Sequence, residues 1–444
     1  MVSGGIALLF LIIAVILIIF LTAKVNLNPF VTLLGITILY GLAIGIKPVD
    51  VVQTIRDGFG GTLGYIGIVI ACGTIIGTIL EKTGGALSMT NAILGVVGQK
   101  RATLAMSIAG YVVSIPVFCD SGFVILSPLN KGLSRKTGIS MAVMAVALAT
   151  GLYATHCLVP PTPGPIASAG ILGADLGLVI GLGIIASIPS LIAGLLWATL
   201  FAKRYHIQPE LEEDFDEVSK KYGKLPSAAL SFLPLLLPII LILLKSLANP
   251  DLGLLAKENA VGIFLRFIGD PVIALLIGVV LALLLVRKDK LKEAVSDWMG
   301  TGIRNAALIL AITGAGGAFG AILKASPMSE FIKGGLGDLN LGIFLPFIIS
   351  AALKTAQGSS TVAIITTSSI MAPLLSDLGL NPVLTVLAIG AGAMTVSHAN
   401  DSYFWVVSQF SDMKVSIAYK AYTTATLVEG VAAMITVFVI SLFF

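Results

Sequence analysis

Apolar runs of roughly 18 to 22 residues recur along the whole chain, each long enough to cross a bilayer as one helix. Hydrocarbon offers no water to backbone N–H and C=O groups, so a chain of such runs must form helices or a closed barrel. Barrel strands are shorter and alternate apolar with polar residues, a pattern absent here. The expected fold class is therefore an all-α polytopic membrane protein. Charge agrees: 11% of the 444 residues are charged and the mean hydropathy is +1.03, where a soluble domain carries about 25%. The net charge of +4 does not point to nucleic acid, because the basic residues sit in loops that flank apolar runs. Cys72, Cys119 and Cys157 lie inside apolar runs at no metal-ligand spacing and read as buried thiols. Residues 4–22 have no basic segment before them and no small-residue cleavage site, so they read as a span and not a signal peptide.

The runs fall into two halves. In residues 1–202, spans are expected near 4–22, 28–46 and 61–81, then an amphipathic connector ending at Lys100 and Arg101. A re-entrant hairpin over 102–131, a broken span over 139–173 and a span over 176–202 follow. Residues 203–225 are the long polar stretch and read as a cytoplasmic linker. Residues 226–444 repeat the order: spans near 228–246, 270–286 and 303–323, a second hairpin over 340–378, a broken span over 381–411 and a last span over 419–444.

Three local matches support duplication. GTIIGTIL at 73–80 resembles GAFGAILK at 317–324, SPL at 127–129 resembles APL at 372–374, and ATH at 154–156 resembles VSH at 396–398, at offsets of 244, 245 and 242 residues. With each hairpin re-entrant, each half has five crossings, an odd number, and the two copies must be inverted in the membrane. With the linker placed in the cytoplasm, 19 of the 27 Lys and Arg fall at cytoplasmic ends, 7 at external ends, and Lys354 inside the second hairpin. That bias sets the orientation and puts both termini outside.

Four polar interruptions are paired across the halves: FCDSG at 118–122 and THCLVPPTPGP at 155–165, against TAQGSST at 355–361 and SHANDSYFW at 397–405. Non-helical backbone at this depth survives only where it is buried in protein or lines a watery cavity. Half-helix N-termini at such breaks present free N–H groups and a positive dipole end, which suits an anion.

Asp120 lies beside Ser121 and Gly122, with no other charge between Arg101 and Lys131. An acid at that depth binds substrate or relays protons. The plainer alternative is a helix cap, for Asp120 and equally for Asp401. His156 and His398 occupy corresponding breaks and are taken as site or gating residues, where a lone histidine would read as a satisfied core group. Pro160, Pro161, Pro163 and Pro165 make a rigid unwound segment, from which Thr162 and Gly164 are expected to expose backbone to a cavity. Gln357, Ser359, Ser360 and Thr361 form a neutral donor and acceptor cluster matched to hydroxyls and a carboxylate, with Asn400 beside Asp401. Residues 366–369 (TTSS) read as packing. Lys354 is either a counter-charge for an anion or a snorkelling lysine, and Glu429 is a structural partner or a relay member. The candidate set is thus Asp120, Ser121, Gly122, His156, Thr162, Gln357, Ser359, Ser360, Thr361, His398, Asn400 and Asp401, with Asp120, Asp401, His156 and His398 as proton-coupling candidates. No GxxxxGK[ST] loop and no paired metal-ligand cluster is present, so neither ATP-driven transport, a metal nor a cofactor is expected. Catalytic pairs of an enzyme are also missing.

CDSGFVILSPL, ATHCLVPPTPGPIA, TAQGSSTVAIITTSSI and SHANDSYFWVVSQF together resemble the gluconate permease (GntP-type) family of bacterial proton symporters, over essentially the whole chain. The resemblance implies uptake of gluconate or a related sugar acid across the inner membrane; one branch takes D-serine instead. It also implies membership of the ion-transporter superfamily, with inverted repeats, two re-entrant hairpins, a scaffold that forms a homodimer and a transport domain that moves as an elevator. The Ser-Asn-Thr hairpin tips of sodium-coupled dicarboxylate relatives are replaced here by Cys119–Gly122 and Gln357–Thr361, which favours protons over sodium.

Overall fold

The computed structural model describes residues 2–25, 27–209, 223–248, 259–327 and 341–443, and all regular structure among them is helical. The first half contains α1 (Gly4–Ala23), α2 (Pro29–Ala43), α3 (Pro48–Lys82), α4 (Gly85–Val97), α5 (Ala102–Val113), α6 (Cys119–Thr137), α7 (Met141–Leu158), α8 (Pro163–Leu172) and α9 (Leu176–Leu200). The second contains α10 (Ala228–Leu247), α11 (Ala260–Ile268), α12 (Pro271–Leu283), α13 (Met299–Lys324), α14 (Phe344–Gln357), α15 (Ser360–Met371), α16 (Pro382–Ala393), α17 (Ser402–Phe410) and α18 (Thr424–Ser441). Side-chain caps from Asn28, Ser140, Asp175, Ser227, Asn259, Asp270 and Asn381 fix many of the starts. Proline stands at or next to the first position of α2, α3, α12 and α16, where its missing N–H costs nothing.

Each expected interruption falls at or beside a junction between two helices: α5 and α6, α7 and α8, α14 and α15, α16 and α17. The connector before Arg101 is α4. Five crossings are expected in each half, with 139–173 and 381–411 as broken spans. Among the described residues, seven helices are long and apolar enough to cross a membrane, and α11 with α12, bent by 62°, makes an eighth. Helix α2 has 15 residues, about 22 Å at 1.5 Å per residue, short of a core about 30 Å thick. The 381–411 run, expected as a broken span, divides into α16 and α17, of 12 and 9 residues. Apolar composition carries through such stops, whereas the chain is turned by local chemistry: Asn28 caps the start of α2, and Gly45 follows its end with φ 87°. Conversely, α3 begins at Pro48, well before the expected 61, and the helical run containing α13 begins at Lys288. Of the 203–225 linker, residues 210–222 lie outside the described residues, as does residue 340 at the start of the second hairpin.

Two helix pairs, one helix from each half, meet antiparallel. In α3 and α13, Gly58 lies against Gly317 and Ala321, Gly67 against Leu310, and Ile75 against Gly302, so residue numbers run in opposite senses. The same holds for α7 and α16: Tyr153 donates to the Ala393 carbonyl at 3.4 Å, and Gly390 abuts the Cys157 carbonyl. Small residues allow this close approach, as in other membrane helix pairs. Equivalent contacts also recur within each half. Gly151 of α7 is pressed on the Ser107 carbonyl of α5, and Gly392 of α16 on the Phe347 carbonyl of α14. Gly194 of α9 meets Thr150, and Gly430 of α18 meets Thr395. Every residue of α7 is buried, which accounts for a sequence that is apolar or small all round.

Candidate functional site

Helices α6, α8, α15 and α17 each begin at one of the four breaks. Phe118 holds the cap position of α6, which places Asp120 inside the first helical turn and not at the cap. Negative charge there is favoured by the helix dipole. The Asp120 Oδ1 accepts a hydrogen bond from Ser402 Oγ at 3.3 Å. Ser402 is exposed and Asp120 half-buried, so this contact between the halves lies at an open edge. Farther along, Ser127 Oγ donates to the Phe410 carbonyl at 3.0 Å, and Lys131 pairs with Asp412 at 3.0 Å. Residue numbers rise together, so α6 of the first half runs parallel to α17 of the second. The counterpart pairing is α8 with α15. Gly164 is packed on Ile364, and Ser168 and Ser368 share a hydrogen bond of 2.7 Å, again with numbers rising together.

Lys354 lies between the second-half breaks and is 0% exposed. Its Nζ donates to Asp401 Oδ2 at 2.5 Å and to the Gly358 carbonyl, and it lies 5.8 Å from the centre of the Tyr153 ring. Asp401 Oδ2 also accepts from Ser397 Oγ at 2.5 Å, and Tyr422 donates to Ser397 at 3.1 Å. Asp401 Oδ1 caps α17 by accepting from the Tyr403 N–H at 3.1 Å. Lys354 therefore neither snorkels to an interface nor stands free as an anion's counter-charge. It is an internal partner, as a buried charge must have.

The other sequence candidates separate into three groups. Ser360 joins the buried centre, sharing a 2.5 Å hydrogen bond with Tyr153. His156 stacks on Tyr153 with ring centres 6.4 Å apart, and its Nδ1 is buried without a hydrogen-bond partner among the described residues. At the open edge, His398 Nε2 and Asn400 Nδ2 both reach the Thr355 carbonyl, at 2.9 and 2.8 Å. The two histidines thus have different partners and different depths. Ser359, also exposed, caps α15 through the Val362 N–H. Ser121 is half-buried beside Asp120, and the Gln357 amide is buried with no partner among the described residues. In the third group, Thr162 is buried and spends its hydroxyl on the Val159 carbonyl at 2.6 Å, Gly122 abuts Leu152, and the half-buried Thr361 lies against Gly164. The expected exposure of backbone at Thr162 and Gly164 is not found. Thr162 is buried, and a Cβ on Gly164 would come within 3.0 Å of Ile364. Ser368 and Ser369 donate to carbonyls of their own helix, as expected for packing residues.

The GntP family permease model matches residues 6–443. This chain belongs to the GntP permease family. Over 440 residues it is 34% identical to the D-serine transporter DsdX of Escherichia coli K12, covering 97% of each chain. Over 432 residues it is 33% identical to the gluconate permease of Pseudomonas aeruginosa, covering 95% of this chain and 94% of that one. Its fold is similar to that of the YdaH transporter of Alcanivorax borkumensis, with a TM-score of 0.72 over 94% of this chain and 98% of that one. At 14% identity that likeness concerns the fold alone. A GntP permease is a transport protein and not an enzyme, in keeping with the missing catalytic pairs.

Sequence reasoning missed Tyr153, Ser397, Ser402 and Tyr422 in this GntP permease, together with the partner of Lys354. One signal was available. Between residues 341 and 411 the only Lys, Arg, Asp or Glu are Lys354, Asp377 and Asp401, and opposite charges inside a membrane pair with one another. A cavity of about 200 Å³ opens elsewhere, beside Asp175 and the Lys245–Asp270 ion pair, and no residue of the four breaks lines it.

Proposed function

We propose that this permease takes up gluconate or a related sugar acid across the bacterial inner membrane in symport with protons. The observation that carries the reading is the Asp120–Ser402 contact, which joins the breaks of the two halves at an open edge. Four half-helix N-termini gather at these breaks with hydroxyls and amides, a surround suited to a carboxylate bearing several hydroxyl groups. Asp120 is the proton carrier, because Asp401 already serves Lys354, Ser397 and the α17 N-terminus. Ser121, Ser359, His398 and Asn400 contact substrate at the edge, the Gln357 amide lies buried behind them, and His156 and Ser360 hold Tyr153 beneath it.

Inverted repeats are supported by the antiparallel meeting of α3 with α13 and of α7 with α16. They are supported also by the crossed pairing of α6 with α17 and of α8 with α15. The moving body of an elevator comprises α5–α9 and α14–α18, and α1–α3 with α10–α13 form a dimeric scaffold. Both termini lie outside.

D-serine is the second reading, favoured by the near-equal identity to the D-serine and gluconate relatives. Its ammonium would need an anionic partner, and Asp120 is one. Radiolabelled uptake into proteoliposomes against a panel of sugar acids and D-serine, with pH and sodium varied independently, decides. Saturable gluconate uptake that a protonophore abolishes and sodium does not affect is expected. Uptake of D-serine alone, or a sodium requirement, overturns the proposal.

A further inference from the structure

We propose that the Lys354 ammonium is a tethered cation filling a monovalent-cation site built into the second-half breaks. Its surroundings are those of a cation cradle. The Gly358 carbonyl closes the C-terminal, negative end of α14, the Asp401 carboxylate arrives from the facing break, and the Tyr153 ring lies 5.8 Å away. The cradle is shaped by the backbone. Gly358 has φ 87°, and a Cβ there would come within 2.0 Å of the Asn400 carbonyl, so the tip of α14 is pressed onto the segment leading into α17. The ammonium ties both ends of that contact together. A loose cation in this place would have to bind before the two breaks could close on each other. Lysine supplies the charge permanently, so the breaks are held together in every state without an external ion.

The same oxygens should accept a small monovalent cation once the tether is cut. Lys354→Ala leaves the carboxylate unpaired and opens the volume of the lost side chain, whereas Lys354→Met fills that volume without charge. The primary test does not need transport: thermal unfolding of purified protein in choline chloride, sodium chloride and methylammonium chloride at equal ionic strength. Wild type is expected to melt at one temperature in all three. Lys354→Ala is expected to melt lower in choline and to recover by about 5 °C or more, saturably, in methylammonium or sodium. Lys354→Met is expected to stay low in every salt. A Lys354→Ala protein indifferent to the cation, or a wild type that responds as strongly, overturns the proposal. Should Lys354→Ala fail to fold, Lys354→Ala with Asp401→Asn is expected to fold and to ignore the cation. If that double variant also fails, charge is not what the cradle requires and the proposal is wrong.

The transport arm rests on the proposed symport: gluconate uptake by Lys354→Ala should rise at least about tenfold with methylammonium. Cation-dependent melting of Lys354→Ala beside a wild type that does not take up gluconate would refute the substrate reading and leave the cation site standing.

Discussion

Asp120 and Asp401 are both acids at breaks, yet their partners divide their roles. Asp401 is bonded by Lys354, Ser397 and the Tyr403 N–H, and Asp120 by the exposed Ser402 hydroxyl. On the proposed mechanism, Asp120→Asn removes the group that takes up a proton and keeps its shape. Accumulation against a gradient should fall to background, while exchange of labelled for unlabelled gluconate should persist within about tenfold of wild type. Loss of both would assign Asp120 to binding. Asp120 was legible in the sequence because it is the one acid in a long uncharged stretch. The Lys354–Asp401 pair was half legible: the two charges were visible, but their residue numbers are far apart and only the packing of two breaks unites them. Tyr153 was not legible, because an aromatic in a wholly apolar helix looks like any other core residue.

At the scale of elements, close backbone contact between α5 and α7 recurs between α14 and α16. A Cβ added to Gly151 would come within 2.1 Å of the Ser107 carbonyl, and one added to Gly392 within 2.3 Å of the Phe347 carbonyl. Neither carbonyl can rotate away as a side-chain tip could. Gly151→Ala and Gly392→Ala should therefore each destabilise the protein by about 1–3 kcal/mol, read as matching drops in melting temperature. A Gly132→Ala control, with open space around it, should be neutral. The breaks themselves were legible, since proline, glycine and polar clusters interrupt helices for local reasons. Which half-helix lies beside which was not, because α6 with α17 and α8 with α15 are contacts between distant parts of the chain.

For the molecule as a whole, the proposed elevator separates two kinds of close contact. Ser168 and Ser368 both lie in the moving body, with their hydroxyls 2.7 Å apart. Ile66 of α3 and Gly170 of α8 face each other across the boundary with the scaffold, where a Cβ on Gly170 would be 2.5 Å from Ile66. In a background lacking Cys72, Cys119 and Cys157, a disulfide from Ser168→Cys with Ser368→Cys should leave uptake within about twofold of wild type. One from Ile66→Cys with Gly170→Cys should stop uptake until a reductant is added. Equal effects from both pairs would argue against a rigid moving body. Three short matches point to a duplication, but the antiparallel meeting of α3 with α13 required the folded chain.

The internal pairing of Lys354 with Asp401 also bears on voltage. A locked pair contributes no net charge to the body that moves. In the proposed cycle the empty body carries the negative charge of Asp120. The loaded body carries a neutral Asp120 and the negative charge of the substrate. Apart from charges that the body carries on both journeys, each journey moves one negative charge, in opposite directions, and an inside-negative membrane hinders the inward one by as much as it helps the return, up to about 2.3 kcal/mol per 100 mV. Summed over a turnover the electrical work cancels, so the gradient of pH, and not the membrane potential, sets how far the substrate can be concentrated.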